Sequence, residues 1–212
     1  MKKINFRTIY KIKDKFIDLF YDHKYGIKTC GAKEFDRRVV NFGYRPTPYI
    51  KLHKMFRKYP INKDNHLVDY GCGKGRVLFA AAKNGCKKAT GIELNEDMYV
   101  ATTLNINRFQ NKYDQLKTKI EVINIDAVKF EIKPSMTDFF FYNPFHMKVF
   151  IYVLKNVEKS IIDHPRNIRI FLYHPHESYL WLLDKTPSFA LVEKSRKYSY
   201  VIYDNKETNN IN

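Results

Sequence analysis

Several acids and a run of glycines stand at spacings that suit a nucleoside-like ligand. In Leu67-Val68-Asp69-Tyr70-Gly71-Cys72-Gly73-Lys74-Gly75-Arg76 an apolar run enters a Gly-x-Gly-x-Gly turn that opens a helix. Glycines permit a tight turn and let a ligand lie against bare backbone. The helix N-terminus adds unpaired N–H groups and a partial positive charge, which suit a carboxylate or a phosphate equally. Glu93, 18 positions past Gly75, ends the next apolar run. An acid there is placed to grip the two hydroxyls of a ribose. Asp126, in Asn124-Ile125-Asp126-Ala127, ends a third run and can accept a hydrogen bond from an adenine amino group. A fourth run ends in Asn143-Pro144-Phe145, a rigid turn with a polar amide at Asn143 and a flat apolar face at Phe145. Taken singly, each is an ordinary turn or cap residue. Four such features at four consecutive strand ends converge on one crevice, where open α/β sheets bind ligands.

The elements that must position these residues follow from the hydrophobic pattern. Short apolar strands are expected at 66–70, 90–94, 120–125, 138–142 and 168–173, with helices at 76–83, 96–112, 147–160 and 178–185 between them. Residues 189–193 and 198–203 then form a hairpin. Apolar strands alternating with helices indicate an open, mostly parallel seven-strand α/β sheet with helices on both faces and an antiparallel C-terminal hairpin. Ahead of it, residues 7–22 carry Ile9, Ile12, Phe16, Leu19 and Phe20 at helical spacing. They predict an amphipathic helix docked by that face, its lysines outward. A second helix is expected up to Tyr59, with Thr47 as its N-cap and Pro48 as its first residue.

Length and charge bound the organisation. The 212 residues suffice for one domain with an accessory segment. Residues 1–64 hold 17 basic and 6 acidic side chains, and residues 65–212 hold 21 and 16. The division expected is a basic helical segment at 1–64, a ligand-binding domain at 65–205 and a frayed tail at 206–212. The basic excess suits an acidic or polyanionic partner, nucleic acid or protein. No apolar run approaches a membrane span, and Cys30, Cys72 and Cys86 match no metal pattern. A cytoplasmic protein without a metal site is expected. His174-Pro-His176 supplies too few ligands for one, and His146 and His174, at strand ends, are read as ordinary surface or loop histidines rather than proton acceptors.

The constellation over residues 66–205 resembles the class I, seven-strand S-adenosylmethionine-dependent methyltransferases. The resemblance implies that Asp69 and the backbone of Gly71, Gly73 and Gly75 hold the methionine part of the cofactor. It implies Glu93 on the ribose, Asp126 and Ala127 at the adenine edge, and Asn143, Pro144 and Phe145 around the methyl acceptor. Tyr25-Gly-x-x-Thr29-x-Gly31, Tyr44-x-Pro-Thr-Pro48 and Tyr142-Asn-Pro-Phe resemble an uncharacterised bacterial subgroup of these enzymes. The Pro-Thr-Pro element is similar to that of the seven-strand protein lysine methyltransferases. There the region before the first strand folds over the cofactor, which makes Tyr44 and Thr47 cofactor-covering residues and Tyr25 and Thr29 lid candidates. Relatives that methylate amino nitrogens of adenine or glutamine carry a second proline where this chain has Phe145. The departure suits a protein lysine as well as a nucleobase.

The resemblance implies in-line methyl transfer to a nitrogen on a protein lysine or an RNA. Two other classes share the glycine turn. A nicotinamide- or nucleotide-binding oxidoreductase would want Gly-x-Gly-x-x-Gly and has no role for Asn-Pro-Phe. A non-catalytic nucleic-acid-binding module would rest on the basic first third alone.

Overall fold

The computed structural model describes residues 6–31, 43–116, 118–197 and 199–205, with side chains from residue 12 onward. The tail expected at 206–212 and the contribution expected of Ile9 lie outside the described residues and side chains. Seven strands form one sheet: β1 (His66–Tyr70), β2 (Lys88–Glu93), β3 (Lys119–Asn124), β4 (Asp138–Phe141), β5 (Arg169–Tyr173), β6 (Ala190–Ser195) and β7 (Tyr200–Asp204). Their order is β3-β2-β1-β4-β5-β7-β6. β1 to β5 run parallel, and β7 runs antiparallel between β5 and β6.

The central strands are mostly apolar because both faces are covered. Leu67, Phe140 and Phe171 point to one core and Val68, Phe139, Phe141, Ile170 and Leu172 to the other, in the two-residue alternation of a strand. Helix α3 (Arg76–Lys83) and helix α4 (Glu96–Lys112) cover the first face, and α5 (Met147–Asp163) and α6 (Glu177–Asp184) the second. The chain leaves β1 for β2 on one side, while β4 flanks β1 on the other. This reversal opens a crevice at the carboxyl ends of the strands. The register holds those ends level, with Tyr70 opposite both Ile92 and Phe141.

Two helices precede the sheet, α1 (Phe6–Tyr25) and α2 (Tyr49–Lys58). Tyr25, Ile27, Tyr49, Leu52 and Phe56 join the same core as Phe79 and Phe109, so this segment is built into the domain. The expected orientation of α1 is reversed. Ile12, Phe16, Leu19 and Phe20 are exposed, Phe16 by 68%. The docked arc instead carries Asp18, Tyr21, Asp22 and Tyr25. Its aromatic rings meet Tyr49 and Phe109, and its two acids face a buried arginine described below. A buried cation left without these carboxylates would be strongly destabilising.

The start of α2 also differs from expectation. Pro48 (φ −58°, ψ 135°) is the cap residue and Tyr49 the first helical one, and Thr47 makes no capping bond. The amide of Tyr49 donates instead to Asp18 Oδ1 of α1 at 2.9 Å. A side chain 31 positions away thus does the work expected of Thr47.

Candidate cofactor and acceptor site

A cavity of about 270 Å³ opens at the carboxyl ends of β1 to β4, close to the lower end of the usual range for small-molecule sites. Its floor is the glycine turn after β1. Gly71 and Gly73 line it with positive φ angles of 69° and 54°. A Cβ on Gly71 would come within 2.6 Å of Pro144 Cβ, and one on Gly73 would enter the ring of Tyr44. Both positions therefore need glycine for conformation and for space. Gly75 was expected at the site and does not line the cavity. At φ 83° it caps α3, and its missing side chain makes room for Thr102 and Phe79. Its glycine serves packing between the turn and α4.

Two buried carboxylates line the cavity. Asp69 is 2% exposed, and no hydrogen bond from another described residue reaches its side chain. Burial holds its carboxyl well above the usual carboxylate range, and Glu93 nearby adds to this. A buried carboxylate without a donor is costly unless a ligand supplies one. Glu93 is anchored, with Oε2 accepting the Gly73 amide and Oε1 the Asn95 amide, each at 2.8 Å. Burial raises its carboxyl too, against the opposing pull of these backbone bonds. Each Glu93 oxygen keeps lone-pair capacity for a ligand hydroxyl. Thr102 donates its hydroxyl to the Gly73 carbonyl, so the Gly73 residue is held from both sides.

Asp126 and Ala127 line the far wall. Asp126 Oδ1 accepts the Val128 amide at 3.0 Å and caps a short 3-10 turn at Ala127–Lys129, leaving its second oxygen for a ligand. Leu94, Met98 and Ile125 supply apolar walls beside it, suited to a planar base.

The opposite end belongs to the turn after β4. Asn143 has φ 45°, and its Oδ1 accepts the His176 amide at 2.9 Å. The resemblance implies Asn143 around the methyl acceptor, but its side-chain oxygen already has a partner. It is committed first to joining the β4 and β5 loops. Pro144 and Phe145 line the cavity, with Phe145 held through its carbonyl by the Tyr179 hydroxyl. Tyr142 also lines it, edge-on to Tyr173 with ring centroids 4.8 Å apart. His146 and His174 do not line it.

Residues before the first strand form the roof. Tyr44 and Thr47 line the cavity with Arg45 and Pro46 between them. The Tyr44 hydroxyl donates to the Thr29 carbonyl at 2.6 Å. Tyr25 and Thr29 are not lid residues over the cavity. Tyr25 is buried against Tyr49, Phe109 and Tyr113, and Thr29 is fully buried behind the roof.

Sequence reasoning missed Arg76. It lines the cavity, is 2% exposed, and pairs with Asp18 at 2.6 Å. The signal was present as an arginine opening an apolar helix, with Asp14, Asp18 and Asp22 spaced four residues apart on a largely basic one.

Residues 37–163, more than half of the chain, match the family of the histone methylation protein DOT1. The chain belongs to the DOT1 family. Relatives of this DOT1-family chain include a protein-lysine N-methyltransferase of Saccharolobus islandicus (strain REY15A). It is 35% identical over 71 residues, which cover 33% of this chain and 44% of the relative. Protein arginine N-methyltransferase 1 of Saccharomyces cerevisiae is 32% identical over 113 residues, covering 53% and 29%. The chain thus spans less than half the length of these curated relatives. Among solved structures, an RNA methyltransferase from Salinibacter ruber in complex with S-adenosyl-L-homocysteine aligns with a TM-score of 0.53 at 16% identity, covering 76% of this chain and 92% of that one. A ribosomal protein L11 methylase from Lactobacillus delbrueckii subsp. bulgaricus aligns at 0.50 and 13% identity, covering 72% and 75%. The fold of this DOT1-family chain is that of the class I S-adenosylmethionine-dependent methyltransferases. Among the described residues, no helix is long and apolar enough to cross a membrane.

Proposed function

We propose that the cavity binds S-adenosylmethionine and that the protein transfers its methyl group to a nitrogen on a macromolecule, a protein lysine in the first instance. One observation carries this reading. Asp69, Gly71, Gly73, Glu93, Asp126 and Asn143-Pro144-Phe145, from four strand ends, line a single cavity. The donor set fits the cofactor. The buried Asp69 carboxylate, which accepts no hydrogen bond from the described residues, suits its amino group, Glu93 the ribose hydroxyls, and Asp126 Oδ2 the adenine amine. Bound there, the cofactor supplies an electrophilic methyl carbon on a sulfonium sulfur.

The chain's own work is alignment and exclusion of water. Pro144 packs on Gly71 and joins the acceptor wall to the cofactor floor. Tyr142 and Phe145 give aromatic faces that an alkylammonium chain can lie along, its proton passing to solvent before the neutral amine meets the methyl carbon. No acid lies among Tyr142, Asn143, Pro144 and Phe145 to hold that proton on the amine. The curated lysine methyltransferase relative and the family match favour protein over RNA. The basic segment at 1–64 would recruit an acidic or polyanionic acceptor surface. Free thiols at Cys30, Cys72 and Cys86 suit the reducing cytoplasm.

The test is incubation with methyl-labelled S-adenosylmethionine and fractionated cell extract. Label in protein, recovered as methyl-lysine after hydrolysis, is expected. Label confined to RNA would move the acceptor, and no label in any fraction would contradict the activity.

A further inference from the structure

Arg76 ties the cavity to residues that, Thr47 aside, do not line it. Its Nη1 meets Asp18 Oδ2 at 2.6 Å and the Thr47 carbonyl at 3.3 Å. Its Nε donates to Thr29 Oγ1 at 2.7 Å, and Nη2 to Cys30 Sγ at 3.2 Å. The guanidinium lies over the Tyr49 ring, 4.7 Å from the centroid. Asp22, 4.0 Å from Nη2, gathers the Thr29 amide, the Thr29 hydroxyl and the Cys30 amide at 2.5–2.7 Å. Asp18 also holds the first amide of α2. One cation thus fixes α1, the loop at 29–30 and the start of α2, and these bound the roof residues Tyr44 to Thr47.

We propose that Arg76 is a positioning residue that sets cofactor affinity by holding this roof down, with Asp18 and Asp22 as its remote partners. The inference rests on the cavity being the cofactor site. A roof that closes over a ligand and a knot that holds the roof are linked equilibria. Cofactor binding must therefore tighten the knot by the factor by which the knot tightens binding. A planar guanidinium is needed because its donors diverge to three separate segments, which the compact ammonium of lysine cannot reach together.

The variants are Asp18→Asn, which keeps an acceptor for the Tyr49 amide but removes the charge, and Asp18→Glu as the conservative rescue. Calorimetric affinity for S-adenosylmethionine is measured beside thermal melting. Asp18→Asn is expected to weaken binding about tenfold, within the usual range of coupling between sites, and Asp18→Glu to recover part of it. Hydrogen exchange on the unmutated protein needs no variant. Added S-adenosylmethionine should slow exchange at the Thr29, Cys30 and Tyr49 amides. Unchanged affinity in Asp18→Asn, or unchanged exchange at those three amides, would overturn the inference alone. Failure of the unmutated protein to bind would overturn the cofactor reading and this inference with it.

Discussion

The carboxylate of Glu93 accepts the backbone amide of Gly73 at 2.8 Å, so the acid at the end of β2 fixes the glycine turn at the end of β1. The same side chain that suits a ribose also shapes the floor on which the rest of the ligand would lie. Glu93→Ala should therefore act twice. It leaves two amides without their acceptor and should cost about 2 kcal/mol of stability. It should also weaken S-adenosylmethionine binding by more than about tenfold, as expected for a lost charge-assisted contact. Urea unfolding and calorimetry separate the two effects. A variant that loses stability but binds normally would confine Glu93 to the turn.

The glycines can be told apart by what a methyl group would meet. Gly71→Ala and Gly73→Ala combine a left-handed backbone with collision against Pro144 and Tyr44. Gly85 has φ 85° but open space around it. Gly85→Ala should cost only the conformational penalty, about 1 kcal/mol, and the two turn variants clearly more. Equal midpoints in denaturant for all three would show that the turn yields freely.

Asn143→Ala should spare cofactor affinity and lower turnover. Its amide oxygen holds the His176 amide, and its backbone is left-handed at φ 45°. Asn143→Gly relieves that backbone but keeps the loss of the amide. If positioning of the β4 and β5 loops matters, both variants lose methyl transfer into the labelled acceptor fraction. Full activity in Asn143→Gly would reduce Asn143 to a turn former.

Burial lowers the imidazole of His66 from 6.5 to about 4, with Ser135 and Thr90 on its two nitrogens. The folded state thus prefers the neutral ring. Its contribution is complete above about pH 6.5 and is lost progressively as pH falls toward 4, by about 3 kcal/mol in all. Urea unfolding of the protein and of His66→Gln between pH 7 and pH 4 should show a shallower slope in the variant. Parallel slopes would assign the acid sensitivity to other groups.

Much of this was legible in the sequence. The strand ends at Asp69, Glu93, Asp126 and Asn143 were readable because apolar runs between turn residues mark where a parallel sheet delivers its side chains. The mostly parallel sheet with its antiparallel hairpin followed from the same pattern. What sequence did not show was polar and long-range. The apolar period of α1 selected Phe16 and Phe20 as its docking face, whereas Asp18 and Asp22 turn inward to a cation more than fifty residues on. Thr47 looked like a cap because the local pattern contains no hint that α1 would supply one. Gly75 looked like ligand-contacting backbone, and only the packing of α4 shows that Thr102 needs its space. Periodicity reports burial of apolar surface and is blind to where a buried charge finds its partner.

The central claim is that one cavity holds one sulfonium nucleoside, gripped at its amino end by a carboxylate that nothing else described in the protein satisfies. Calorimetric titration of S-adenosylmethionine into the protein and into Asp69→Asn tests it directly. The account predicts one-to-one binding that the substitution weakens by at least about tenfold, the loss of an ionic hydrogen bond. Equal affinity in the two proteins, or no binding to either, would contradict it.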